Sequence, residues 1–295
     1  MILGPTASGK TSIAAHWAYR NGGEIISADS RQVYRGMDIG TGKDYADYVV
    51  NGQQITYHCI DVVEAGEQYN VYEYQKDFLA AYRKIINNGK MPVLCGGSGM
   101  YIEAAINGYQ LINTPINEDL RKELDTKTDE ELQTILASLK TLHNKTDTDT
   151  RKRMIRAIEI EVFKDSKIQE FNDYPDIRPL LIGVSYDRES RRRRITQRLR
   201  QRLDDGMIEE AQGLLNKGLT PEQLEYYGLE YKFLAKYLTN KLNYAQMFDQ
   251  LNIAIHQFAK RQMTWFRRME RNGAKIWWLD GYMPMEEKLS IINSV

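Results

Sequence analysis

The sequence predicts an α/β protein in which a parallel sheet flanked by helices carries a helical insertion. Three observations predict it. A glycine-rich loop joins an apolar stub to a helix within Ile2–Arg20. The order strand, glycine turn, helix recurs at Pro92–Ile106, as in parallel sheets covered by helices. A polar stretch from 113 to 179, rich in Asp, Glu, Lys and Thr, shows helical spacing and few strand signals.

The elements follow in order. Ile2-Leu3 is a strand stub, and Thr11–Arg20 reads as a helix. Ile25-Ile26-Ser27-Ala28 is a second strand, ending at Asp29-Ser30. Val71–Asn87 places Tyr74, Phe78, Leu79, Tyr82 and Ile86 at helical spacing. Pro92–Cys95 is a buried strand closed by Gly96-Gly97, and Met100–Ile106 is a helix. Inside the insertion, helical patterns cover Asp119–Leu139 and Thr150–Lys164. Leu180–Val184 returns to a strand, followed by helical segments at Ser190–Lys217, Glu230–Leu238 and Ala245–Arg271 and a last strand at Ile276–Leu279. The predicted organisation is a catalytic core of residues 1–112 and 180–295 with an insertion domain at 113–179.

Composition excludes several function classes. Hydrophobic residues make up 42% and charged residues 27%, the balance of a folded soluble protein. No apolar run approaches the ~20 residues that span a bilayer, and the first residues lack signal-peptide features, so a cytoplasmic protein without membrane contact is expected, acting as a monomer. Cys59 and Cys95 form no C-x-x-C pair, and His16, His58, His143 and His256 show no metal-ligand spacing. Forty basic and forty acidic side chains cancel, but local fields decide anion binding. Arg194, Arg198 and Arg202 share one face of a helix crowded with arginine, and such a face calls for anions. In Ile255–Arg271, Ile255, Phe258, Gln262, Trp265, Phe266 and Met269 form a core stripe, while Lys260, Arg261, Arg267, Arg268 and Arg271 form a basic face suited to RNA phosphate.

Gly4-Pro5-Thr6-Ala7-Ser8-Gly9-Lys10-Thr11 matches G-x-x-x-x-G-K-[ST]. Glycines let the backbone curl so that N–H groups point at phosphate oxygens, and the following helix adds its positive end. Lys10 supplies a full charge, and the Thr11 hydroxyl is placed to bind Mg²⁺, the expected cofactor. The core is therefore expected to be P-loop NTPase-like. The loop specifies a diphosphate or triphosphate, ATP or another, and no more. Asp29, at the carboxyl end of the next strand, lies where α/β sheets bind ligands.

Asp29-Ser30-Arg31-Gln32-Val33-Tyr34, followed by Gly36-Met37-Asp38-Ile39-Gly40-Thr41, resembles the tRNA dimethylallyltransferase family, also called tRNA isopentenyltransferases. Gly96–Tyr101, Arg153–Glu159 and Ala259–Arg267 extend the resemblance over nearly the whole chain. It implies transfer of a dimethylallyl group from its diphosphate to N6 of the adenine 3′ of the anticodon in tRNA, releasing diphosphate. Asp29 matches the family's general base, Lys10 and Thr11 its diphosphate and Mg²⁺ residues, and Arg198 an arginine that grips diphosphate. Asp29, Ser30, Arg31, Gln32, Ser98, Arg121, Lys152, Arg153, Met154, Ile155 and Arg156 match positions that touch tRNA.

Three positions depart from the family pattern. Asp44 replaces a proline, Glu230 a basic residue and His256 an arginine. These changes bear on tRNA choice more than on the chemistry. Alternative readings are a small-molecule kinase using the same loop with ATP, a prenyltransferase acting on free adenine nucleotides, and a non-catalytic RNA-binding module.

Overall fold

The computed structural model describes residues 1–109, 111–141, 147–164 and 174–295; His143 lies outside them. They form two compact units, one of Met1–Asn107 with Ile177–Val295, the other of Gly108–Asp176. The second unit starts at the glycine that ends a helix in left-handed conformation, Gly108 (φ 59°), five residues earlier than the 113 read from composition.

The strands are β1 (Ile2–Leu3), β2 (Gly23–Ala28), β3 (Tyr34–Arg35), β4 (Val49–Val50), β5 (Gln53–Gln54), β6 (Tyr57–His58), β7 (Val63–Glu64), β8 (Met91–Gly96), β9 (Leu181–Ser185) and β10 (Ile276–Asp280). The helices are α1 (Lys10–Asn21), α2 (Val71–Asn87), α3 (Gly99–Asn107), α4 (Glu118–Asp125), α5 (Asp129–Leu139) and α6 (Arg151–Lys164). They continue with α7 (Arg188–Asp204), α8 (Met207–Asn216), α9 (Pro221–Tyr226), α10 (Leu229–Leu238), α11 (Tyr244–Arg271) and α12 (Met285–Ser294).

A six-stranded sheet in the order β10-β9-β1-β8-β2-β6 forms the first unit's frame, with every pairing parallel. Neighbouring residues of a strand face opposite sides, and both sides are buried here. Ile25 joins Ile13, Ala14, Ala18, Leu289 and Ile292 in one apolar cluster with α1 and α12. Ile26, equally buried, turns to the other side, where α2 packs on β2 and β8. The sheet thus reads as apolar runs rather than alternation, as for strands covered on both faces.

Strand β1 lies mid-sheet, and α1 carries the chain past β8 to β2. The carboxyl ends of β1, β8 and β2 therefore lie side by side, the usual ligand-binding edge of such sheets.

Two helical patterns split where each was read as one. Asp119–Leu139 breaks into α4 and α5 because Thr128 caps α5 in a capping box with Glu131. Ser190–Lys217 breaks into α7 and α8 at Gly206, whose φ of 102° ends the run. The short strands β3–β7, α9 and α12 carry too few periodic residues to be read in advance. The described residues of the second unit form a three-helix cluster, α4–α6, packed through Leu124, Leu132, Leu136, Met154, Ile155 and Ile158.

Candidate active site

Residues Gly4–Gly9 turn the chain between β1 and α1. Ala7 (φ 61°) and Gly9 (φ 77°) take left-handed backbone, which points successive N–H groups into one concavity suited to anions. A Cβ on Gly4 would meet Ser8 Oγ at 2.7 Å and the Val184 carbonyl at 2.8 Å, so nothing larger fits. Gly4 and Pro5 are buried beneath the loop, while Thr6, Ala7, Ser8, Gly9, Lys10 and Thr11 line a cleft of about 850 Å³.

The next strand ends bring in the rest. After β2, Asp29 Oδ1 accepts the Arg31 N–H at 2.9 Å. After β8, Ser98 Oγ accepts the Ser30 N–H at 3.0 Å. One side chain from α11 joins the two turns: Gln262 Oε1 accepts the Thr6 N–H at 2.8 Å, and its Nε2 donates to the Gly97 carbonyl at 3.0 Å. Close packing around this amide demands glycine, since a Cβ on Gly97 would meet Gln262 Nε2 at 2.4 Å.

Helix α7 forms an arginine wall. Arg194 Nε donates to the Ala7 carbonyl at 3.0 Å and its guanidinium lies 4.4 Å from the Tyr186 ring centroid. Arg198 donates to Asp44 Oδ2, and Arg202 approaches Asp44 Oδ1 at 3.7 Å. All three arginines line the cleft together with Lys10 and Asp29.

The segment Gly36–Lys43 is a brace for that wall. Lys43, with a fully buried side chain, donates to the Tyr34 carbonyl at 2.5 Å, Asp38 at 2.8 Å and Asp61 at 2.5 Å. Glu210 of α8 accepts N–H groups of Asp38, Ile39 and Gly40 at 2.7–2.9 Å, and the Tyr231 hydroxyl at 2.6 Å. Tyr34 itself is 1% exposed and packs edge-on against Tyr227, a bracing role.

Burial lowers the Lys10 ammonium from its ordinary value; Cys95 and Asp29 oppose that shift, and Arg198 adds to it. An incoming anion would favour the charged form. Burial pushes the Cys95 thiol up to about 11 and the Cys59 thiol to about 12, so both stay protonated at neutral pH and are poor nucleophiles.

Oxygen donors suit Mg²⁺, which keeps several waters and takes one or two protein groups plus substrate phosphates. The Thr11 hydroxyl and the Asp29 carboxylate, lining one cleft, are such donors. Among the described residues, no three His, Cys, Asp or Glu side chains gather as a protein-only metal site.

The structure brings Lys10, Thr11, Asp29, Ser30, Arg31, Gln32, Ser98 and Arg198 to one cleft. Gln32 is 9% exposed and its amide is used internally, accepting from Ser27 Oγ at 2.9 Å and donating to the Gly42 carbonyl at 3.0 Å. Arg121 and Lys152–Arg156 belong to the other unit. There Met154 (3% exposed) and Ile155 (8%) sit in the apolar core. Arg121 and Arg156 both bind the buried carboxylate of Glu159, at 3.0 Å and 2.5 Å. Lys152 is exposed, as is Arg153, which pairs with Asp149 at 3.1 Å on the surface.

Sequence reasoning missed Gln262 and Glu210. Gln262 stood within an otherwise apolar stripe, and a lone polar residue on a buried face was the available signal. Glu210 offered none. Of that stripe, Ile255, Phe266 and Met269 are buried, while Phe258 is exposed. On the basic face Lys260, Arg261, Arg267 and Arg271 are exposed, whereas Arg268 donates to Glu103 at 2.7 Å and stacks 3.9 Å from the Trp265 centroid.

Comparison with known proteins agrees with this geometry. A family model described as IPP transferase matches residues 32–269. The chain is 58% identical to tRNA dimethylallyltransferase 1 of Parabacteroides distasonis, covering 98% of this chain and 94% of that one. It is 58% identical to tRNA dimethylallyltransferase 2 of Bacteroides fragilis, covering 99% and 95%. The crystal structure of the tRNA isopentenylpyrophosphate transferase of Bacillus halodurans superposes with a TM-score of 0.72 at 30% identity, covering 99% of this chain and 93% of that chain. A eukaryotic dimethylallyltransferase acting on tRNA shares the fold, with a TM-score of 0.77 at 23% identity over 95% of this chain and 73% of its own. The chain belongs to the IPP transferase family, that of the tRNA dimethylallyltransferases, and is a prenyl-transferring enzyme.

Proposed function

We propose that this enzyme transfers a dimethylallyl group from dimethylallyl diphosphate to N6 of the adenine 3′ of the anticodon in tRNA. The observation that carries the reading is the convergence of the phosphate loop, Asp29 and Arg198 on one cleft. The donor's C1–O bond breaks, a C1–N6 bond forms, the N6 proton passes to Asp29 and diphosphate leaves.

The loop amides, Lys10 and Arg198 stabilise negative charge gathering on the departing diphosphate. Mg²⁺, held by Thr11 and phosphate oxygens, would neutralise further charge there when bound. The exocyclic amine is a weak nucleophile, because its lone pair is delocalised into the ring. Asp29 orients it and accepts its proton. The backbone hydrogen bond from Arg31 fixes the carboxylate for that role. The adenine must leave its stack to enter the cleft, at a cost of roughly a few kcal/mol.

Exposed Lys152 and Arg153 of the helical unit suit phosphate contacts with an RNA, which favours tRNA over a free nucleotide. The enzyme is proposed to act as a monomer. No helix among the described residues is long and apolar enough to cross a membrane. A tRNA substrate favours a cytoplasmic site of action.

The test is incubation with Mg²⁺, dimethylallyl diphosphate and unmodified tRNA, followed by mass spectrometry of the nucleosides. Isopentenyladenosine is expected at one position, and Asp29→Ala should lower its rate of formation by ~10²–10⁴-fold. ATP turnover without any modified adenosine would overturn the reading in favour of a kinase.

A further inference from the structure

Arg202 is not among the positions that the family resemblance assigns to diphosphate. It lies one helical turn beyond Arg198 on α7, lines the cleft, and its side chain is 12% exposed. Its Nε and Nη2 are buried without a hydrogen-bond partner. Such donors are costly to leave unmet, and the structure shows why nothing within the fold meets them. Asp44 Oδ1 stands 3.7 Å from Nη2, too far to accept, and Asp44 Oδ2 is engaged by Arg198. Glu230 lines the same wall and adds negative field at Arg202. Charge is balanced at a distance while the donors stay open.

The backbone is shaped around this guanidinium. Gly42 (φ 72°) passes so close that a Cβ would fall 1.8 Å from Arg202 Nη2 and 2.9 Å from Arg198 Nη2. Burial, and then the like charge of Arg198, lower the Arg202 pKa, so the pair gains from any anion that joins it. Asp44 and Glu230, two of the three departures from the family pattern, are acids whose charge acts on Arg202, with Asp29 a third.

We propose that Arg202 is a second diphosphate-positioning residue, acting beside Arg198, with Asp44 and Glu230 as its counter-ions until the diphosphate brings its own oxygens. The proposal rests on the diphosphate donor of the preceding section.

The experiment titrates inorganic diphosphate with Mg²⁺ into the full chain by calorimetry, for wild type, Lys10→Ala, Arg202→Lys, Arg202→Met and Asp44→Asn. Steady-state KM values are taken in parallel for dimethylallyl diphosphate and for tRNA. Arg202→Met should weaken diphosphate binding roughly 10- to 100-fold, the span of charged hydrogen bonds. Arg202→Lys, which keeps charge but loses the planar fork, should fall between, and Asp44→Asn should tighten binding. The donor KM should rise with the tRNA KM unmoved, a split that a merely structural arginine would not give. Thermal unfolding without ligand identifies the folded variants, Arg202→Lys being the mildest. Diphosphate affinity equal to wild type in Arg202→Lys and in folded Arg202→Met would overturn the role of Arg202. A wild type that binds no diphosphate, and is indistinguishable from Lys10→Ala, would instead overturn the donor reading, and this proposal with it.

Discussion

Gln262 shows how one side chain can set the geometry of two loops at once. Its two amide atoms satisfy a backbone donor in one loop and a backbone acceptor in another, so the loops hold a fixed spacing. Gln262→Ala would leave the buried Gly97 carbonyl unpaired, a loss of about 1–3 kcal/mol, and would turn the half-buried Thr6 N–H over to solvent. We expect a lower unfolding temperature together with weaker diphosphate binding. Gln262→Leu, which refills the volume, should recover part of the stability but not the binding, as thermal shift with and without diphosphate would show. Gly42 is the complementary case. Gly42→Ala combines a strained left-handed φ with a collision against Arg202, and should raise the donor KM more than the tRNA KM in steady-state assays.

At the scale of elements, β2 is held from both sides by one acid. Glu24, 4% exposed, accepts from Lys90 Nζ at 2.7 Å and lies 2.7 Å from His58 Nε2 on the edge strand β6. Burial alone would raise its pKa, but the Lys90 and His58 contacts outweigh it and hold the carboxyl below its ordinary 4.5. A depressed carboxylate contributes stability that is complete above about pH 4.5 and fades as pH falls through the folded-state value. Glu24→Gln should therefore destabilise the protein at pH 7 and flatten its acid limb, with the difference from wild type closing at low pH. Denaturant midpoints taken across pH 3–7 would check this; parallel curves for the two proteins would refute it. The insertion has its own buried acid, Glu159, which receives two arginines and the Asn117 N–H. Glu159→Ala removes the common partner of Arg121 and Arg156, whose side chains stay partly solvated, so the loss should fall below the ~3–5 kcal/mol of a fully buried pair. Limited proteolysis should then cut within 108–176 faster than in wild type.

For the whole molecule, function follows from topology. Residues at 4–11, 29–32, 95–98, 194–202 and 262 are far apart in sequence, yet they meet because parallel strands bring successive loops to one edge of the sheet. The net charge of zero hides a cleft whose wall carries arginines at helical spacing, so total charge was a poor guide to anion binding. Much of this was legible beforehand. The α/β class followed from the order of strand, glycine turn and helix. The glycine loop followed from a spacing that carries its own physical reason, and the family and the reading of Asp29 from the resemblance of further motifs. The helix breaks at Thr128 and Gly206 were less legible, because periodicity runs on through a two- or three-residue interruption.

The sequence by itself determined the local chemistry: the glycines that let the loop curl, the Lys10 charge, the strand runs and the order of the motifs. Only the tertiary structure decided which polar side chains face the cleft and which serve the fold. Met154 and Ile155 turned inward because a three-helix unit needs their apolar surface. Gln32, Lys43 and Glu210 became braces because buried backbone groups must find partners. Arg198 and Arg202 came to face Asp44 across a glycine that no linear pattern could pair with them. Motif spacing encodes contacts within a loop or along a helix, whereas the partners of a buried charge come from whichever distant segment the sheet brings alongside.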